Sequence, residues 1–182
     1  KYALIEQIGS GGMATVWRAL TYGARGFRRE VALKRIHEIF GAFPEVIDMF
    51  VEEARVGALL RHPNIVQIHD FGKDASGRYY LVTEWVEGPH LGDYVQSFVS
   101  QKRPTPWPLL AAIAIEILRG LDAAHTRRDE YGRVAPILHR DVSPPNILLD
   151  VGGVVKLADF GLARAMDRGR MTRPDGVKGK LS

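Results

Sequence analysis

The sequence has no cysteine. Disulfides and cysteine-ligated zinc are therefore excluded, and the composition fits a reducing compartment. It also lacks a long apolar run. The most apolar stretch, Leu109 to Leu118, contains Glu116 and is far short of the roughly 20 residues a membrane-crossing helix needs. No signal-peptide pattern is present. Net charge is small, +4 at pH 7. Between Arg164 and Lys180 there are six basic and two acidic residues, so the excess sits near one end and does not form a distributed nucleic-acid footprint. Internal repeats and low-complexity tracts are absent. No second His or Cys stands at metal-ligand spacing from His125, which reads as a packed or capping residue. The sequence starts at Lys1, not Met, and stops at Ser182, and both ends read as cuts.

What is present suffices for one domain or two small lobes: 182 residues, 46% of them apolar. Alternation predicts strands over Ala3 to Ile8, Ala14 to Ala19, Glu30 to Ile36, Ile65 to Phe71 and Arg78 to Trp85. Gly9 to Gly12 and Asp74 to Gly77 read as turns. On the third strand Ala32 and Lys34 share a face, with Val16 as a candidate neighbour; together they make an apolar wall bearing one charge. Helical spacing predicts an amphipathic helix over Pro44 to Leu60, with Val46, Met49, Phe50, Gly57 and Leu60 on its apolar stripe. Glu53 falls on that stripe, where a carboxylate is costly unless paired, and Lys34 is the natural partner. A short helix over Leu91 to Gln101 turns Tyr94, Val95, Phe98 and Val99 inward. After a proline-rich linker to Pro108, Leu109 to His125 is apolar nearly all round and reads as a buried helix. Arg127 to Val134 reads as a solvated surface loop. Strands dominate before about residue 86 and helices after it, an α+β pattern.

The chemistry concentrates in His139-Arg140-Asp141-Val142-Ser143-Pro144-Pro145-Asn146. Two prolines exclude a helix there, so the stretch reads as a tight loop feeding a strand, Ile147 to Leu149. A turn, Asp150 to Gly153, leads to a second strand, Val154 to Leu157, and then to Asp159-Phe160-Gly161. The hairpin brings Asp141, Asn146 and Asp159 to one end of a small sheet. An amide oxygen and a carboxylate aimed at one point suit a hard divalent cation such as Mg²⁺, and Asp141 is left to act as a base.

The order of these parts resembles the protein-kinase catalytic core. HRDVSPPN is similar to the catalytic loop, DFG to the metal-binding turn, VALK at Val31 to Lys34 to the phosphate-lysine strand, and IGSGGMATVW at Ile8 to Trp17 to the glycine-rich loop. The resemblance spans the whole chain and is nearest to the eukaryote-like Ser/Thr kinases of bacteria, cut within the activation segment. It implies a two-lobe fold: an N-lobe over residues 1–86, with a five-stranded antiparallel sheet and one helix, and a partial, mainly helical C-lobe over residues 87–182. The hinge would lie at about 84–89. It implies ATP and Mg²⁺ as cofactors, a protein hydroxyl of Ser or Thr as acceptor, and a cytoplasmic setting. Nucleic acid and membrane contact are not expected of these residues, and oligomeric state is unspecified. Carried onto this sequence, Ile8, Gly9, Ser10, Gly11, Gly12, Val16, Ala32, Thr83 (the gatekeeper), the backbone of Glu84 and Val86, and Leu148 would bind the nucleotide. Lys34, paired with Glu53, would grip its phosphates. Asn146 and Asp159 would hold the metal, and Asp141 would orient the acceptor hydroxyl. His139 and Phe160 read as supporting packing, and Arg140 as the arginine that meets an activation-loop phosphate.

Three departures stand out. Ala14 occupies the third glycine position, Ser143 replaces the lysine usual in Ser/Thr kinases, and no APE-like element is present. Lys180, aligned with the threonine that this lysine normally contacts, would exchange roles with Ser143. The alternatives are an inactive kinase fragment, a nucleotide-binding pseudokinase scaffold, or a small-molecule phosphotransferase of related fold. Lys34, Asp141 and Asp159 are all present, which argues against the scaffold.

Overall fold

The computed structural model describes residues 1–160. Five strands, β1 (Tyr2–Ser10), β2 (Ala14–Tyr22), β3 (Arg28–Ile36), β4 (Ile68–Lys73) and β5 (Tyr79–Glu84), form an antiparallel sheet in the order β1-β2-β3-β5-β4. Strand alternation sorts β3 as its sequence predicts: Val31 and Leu33 enter one face, while Ala32, Lys34 and Ile36 enter the other. In the register, Val16 stands opposite Lys34 and Arg18 opposite Ala32. The β1–β2 turn is narrower than expected. Gly9 and Ser10 pair with Val16 and Thr15, and Gly11 N–H closes the turn on Ala14 O at 2.9 Å.

Helix α1 (Pro44–Ala58) covers one face of the sheet. Pro44 starts it, where a missing N–H costs nothing. Phe50 and Ala54 pack with Ala14 and Leu81, and Ile68 and Phe71 close the cluster. A Cβ on Gly57 would sit 2.4 Å from Ile68 Cδ1, so the glycine sets how closely α1 approaches β4. The opposite face buries Ala19, Val31, Leu33 and Val82 beneath Tyr2 and Tyr80, whose rings meet edge-on at 5.7 Å.

The helical half contains α2 (Leu91–Ser100), α3 (Trp107–His125) and a hairpin of β6 (Ile147–Leu149) and β7 (Val155–Leu157). Its core is continuous with the sheet half, because Val56 and Leu60 of the α1 end pack with Ile65, Ile113, Ala124, Ile147 and Leu157. Here the fourth predicted strand needs correcting. β4 begins at Ile68; Ile65 instead bridges in parallel to Leu157, and Val66 N–H donates to Leu157 O at 2.8 Å. Asn64 explains the diversion. Its buried amide nitrogen donates to Val155 O (2.8 Å) and Glu116 Oε2 (2.9 Å), and its backbone oxygen accepts from Leu157 N–H (2.9 Å). A buried amide must satisfy its polar atoms, and these partners lie in the helical half.

Other expectations also shift. Helix α3 begins at Trp107, two residues early, because Pro108 fits in a first turn. It buries Ile113, Gly120 and Ala124 on one face, while Trp107, Ile115 and Leu118 stay exposed, so among the described residues it is not covered all round. Val99 of α2 is also exposed. Pro144–Asn146 does form one 3₁₀ turn, with both prolines in its first positions, where no N–H is required.

Beyond β5 the chain runs extended and docks on the β6 hairpin. Leu149 N–H donates to Pro89 O (2.9 Å) and Val151 N–H to Glu87 O (2.7 Å), and His90 bridges Leu148. Gly88 makes this approach possible. It has φ 148°, and an added Cβ would lie 1.9 Å from Leu149 O. Gly88→Ala is expected to cost at least about 2 kcal/mol, from backbone strain plus a steric clash with the chain. Urea unfolding of the variant beside the parent measures it, and an unchanged midpoint would contradict this role for Gly88.

Candidate functional site

A cleft of about 430 Å³ lies between the sheet and the β6–β7 hairpin. Ile8, Val16, Ala32, Thr83 and Glu84 line it from the sheet, Val86 from the segment after β5, and Leu148 from β6. Strand period explains the selection: Val16, Ala32, Lys34 and Leu81 fall on one face of adjacent strands. The result is a mostly apolar slot with an ammonium at one end.

That charge is Lys34. Its Nζ donates to Glu53 Oε1 at 2.7 Å and to Asp159 Oδ1 at 3.1 Å, joining β3, α1 and the segment after β7. Glu53 is 2% exposed, and its Oε2 has no hydrogen-bond partner among the described residues. Burial first, then the neighbouring Asp159, push the Glu53 carboxyl up to about 7, against the opposing pull of Lys34. Burial lowers the Lys34 pKa, but Asp159 and Glu53 together outweigh it and hold the group above its usual range. The origins differ: burial is the first cause for Glu53, with Asp159 adding to it, whereas two carboxylates around one ammonium hold Lys34 protonated.

The loop before β6 is held from beneath. His139 is buried, and its ring lies 4.4 Å from that of Phe160. Its Nε2 faces Ala158 O at 2.9 Å and its Nδ1 faces Asp141 N–H at 3.3 Å. A carbonyl only accepts and an amide N–H only donates, so Nε2 carries the proton of a neutral imidazole. Burial, which lowers the His139 pKa, favours the same form. Asn146 Nδ2 donates to Asp141 O (3.0 Å) and Oδ2 (2.9 Å), and Asn146 lines the cleft. Ala158 N–H donates to Asn146 O at 2.9 Å, placing Asn146 beside Asp159. Arg140 and Asp159 have φ of 66° and 60°, left-handed values that side chains rarely adopt. Such strain gathers where a loop is held for function.

The family model for the protein kinase domain matches residues 2–178. The chain belongs to the protein kinase family. It is 38% identical over 98% of its length to the tyrosine-protein kinase MasK of Myxococcus xanthus, covering 28% of that protein. It is 36% identical to the serine/threonine-protein kinase PknA of Mycobacterium tuberculosis, over 98% of this chain and 39% of that one. To PrkC of Bacillus subtilis it is 34% identical, over 100% of this chain and 26% of that protein. The chain thus spans well under half the length of the curated relatives it matches.

The kinase cleft gathers Ile8, Val16, Ala32, Lys34, Glu53, Thr83, Glu84, Val86, Asn146, Leu148 and Asp159. Gly11 and Gly12 line a smaller recess of about 210 Å³ that shares Val16, Lys34, Glu53 and Asp159 with it. Gly9, Ser10, Asp141 and Ser143 line neither cavity. Lys180 lies outside the described residues, and so does its relation to Ser143. Sequence reasoning missed the second use of Glu84. Its Oε1 accepts from Gln67 N–H (2.8 Å) and from Lys156 Nζ (3.0 Å), which also donates to Pro63 O (3.0 Å). The signal available was a lysine between two buried strand residues, Val155 and Leu157.

Glu53 yields a pH test. Its folded pKa lies above its usual 4.5. Between about pH 4.5 and 7 the folded state therefore holds more protons than the unfolded, and stability falls as pH rises through that window. Glu53→Gln removes the slope. From pH 5 to 8 the parent is expected to lose about 2–3 kcal/mol more than the variant, at about 1.4 kcal/mol per pKa unit. Urea titrations at the two pH values check it; parallel losses would contradict the buried, proton-holding carboxyl.

Proposed function

We propose that this chain carries the ATP-binding and phosphoryl-transfer site of a protein kinase whose acceptors are Ser and Thr hydroxyls. The supporting observation is Lys34, held between Glu53 and Asp159 at the charged end of an apolar slot. The slot suits a purine between Val16 and Ala32 above and Leu148 below, with Glu84 and Val86 offering backbone groups to its edge. Lys34, already oriented by Glu53, would bind phosphate oxygens, and Asp159 would be one of the residues that hold a cation. Asn146 and Asp159 suit Mg²⁺. Their donors are hard oxygens, and among the described residues no cluster of three or more His, Asp and Glu forms an all-protein cage. Two protein ligands are what Mg²⁺ uses when phosphates and water complete its shell. When bound, the ion neutralises charge on the phosphates.

Asp141 is exposed and fixed by Asn146, so its carboxylate is set to orient an incoming hydroxyl and take its proton. In this reading residues 1–86 form an N-lobe, residues 87–182 part of a C-lobe, and the hinge lies at about 84–89. ATP dependence argues for a cytoplasmic setting.

A second reading makes tyrosine the acceptor. It is favoured by Ser143, where Ser/Thr kinases usually carry lysine, and by the name of the Myxococcus relative.

The test is transfer from γ-labelled ATP by the full-length parent, followed by phosphoamino-acid analysis. Phosphoserine and phosphothreonine are expected; label on tyrosine alone would move the assignment to the second reading. Lys34→Met is expected to lower the rate at least ~10²-fold, and Asp141→Asn about 10²- to 10⁴-fold. Near-normal turnover in either variant would overturn that residue's role.

A further inference from the structure

The β2–β3 hairpin outruns its neighbours. β1 pairs with β2 only as far as Thr21, and β5 pairs with β3 only from Val31. Residues 22–29 therefore stand clear of the sheet as a two-stranded finger. The finger is ordered by its own turn: Gly23 N–H donates to Phe27 O at 2.7 Å, Phe27 N–H to Ala24 O at 3.1 Å, and Arg25 and Gly26 take the positive φ values that close it. It carries Arg25, Arg28 and Arg29, all exposed and without a salt bridge or side-chain hydrogen bond among the described residues. Glu30, next to Arg29 in β3, and Glu6 are both engaged by Arg18. Two large side chains beside the arginines are more than half exposed, Tyr22 at 57% and Phe27 at 59%.

We propose that this finger docks the kinase on an anionic lipid surface. Its charge is of one sign and uncompensated, which complements acidic headgroups. Its aromatic side chains have an apolar body, and the tyrosine a polar tip as well, which suits the depth of the headgroup layer. Its shape is convex. A protruding tip meets a plane, whereas an acidic peptide would need a groove, and neither cavity described above includes these residues. The site lies apart from the cleft, whose lining includes none of the finger residues, so docking leaves nucleotide entry open.

The test is co-sedimentation of the 182-residue chain with vesicles of phosphatidylcholine alone and of phosphatidylcholine with one-quarter phosphatidylglycerol. Binding is expected to be at least ~10-fold tighter on the anionic vesicles and lost in high salt, three arginines being worth roughly 10²-fold at such a surface. Arg25→Glu with Arg28→Glu and Arg29→Glu should abolish the preference. A control of equal charge change, Arg61→Glu with Lys102→Glu and Arg103→Glu, should keep most of it. Phe27→Ala should weaken binding several-fold without altering its salt dependence. Unchanged thermal melting of each variant separates loss of docking from loss of fold. Equal binding to both vesicles, or equal losses in the finger and control variants, would overturn the proposal. So would retention on polyglutamate with none on vesicles, which would assign the finger to an acidic protein.

Discussion

One ammonium between two carboxylates holds the charged end of the cleft together. Lys34, Glu53 and Asp159 come from β3, α1 and the segment after β7, and they meet within 3.1 Å. A buried ion pair is a weak source of stability, because desolvation offsets most of its attraction. Its value lies in geometry: breaking it strands a charge, so α1 is held where Glu53 can reach Lys34. Glu53 supplies only one oxygen to the pair, and the other lies buried without a partner. The cluster is thus held by one ammonium between two carboxylates.

The second constraint is the seam that joins the two halves. Asn64 sends its polar groups into the helical half, which fixes the linker between α1 and β4 there. Gly120 makes room for it, since a Cβ there would sit 3.0 Å from Asn64 O. Beyond β5, the Glu84–Lys156 pair and the bonds that Leu149 and Val151 N–H donate to Pro89 O and Glu87 O form a second tie. The cleft is therefore flanked by the Lys34 cluster and by the Glu84–Lys156 pair with its neighbouring backbone contacts.

Particular residues show what was legible in the sequence and why. Glu53 was legible because a carboxylate on an apolar helical stripe demands a partner, and only one lysine stood on the facing wall. The presence of five strands before the helical half followed from alternation, though the fourth begins at Ile68 and not at Ile65. Ile65 misled because a β-branched run reads as a strand wherever it pairs, and pairing with Leu157 instead of the sheet depends on an asparagine amide whose partners lie far along the chain. Helix α3 misled in the opposite way, since an all-round apolar pattern says that a helix seeks cover without saying which faces find it among the described residues.

Sequence alone determined the family, the α+β order of elements and the residue types at the charged end of the cleft, because short motifs and strand period are local properties that survive without a fold. Only the tertiary structure decided which of these residues meet. It put Gly11 and Gly12 in a side recess, left Asp141 outside the cleft lining while binding it to Asn146, and gave the Glu84 side chain a structural partner in Lys156. Those outcomes depend on how two halves of a chain dock. Docking is set by buried polar groups that must find partners and by glycines that permit close approach, and both act over sequence distances that no local pattern records.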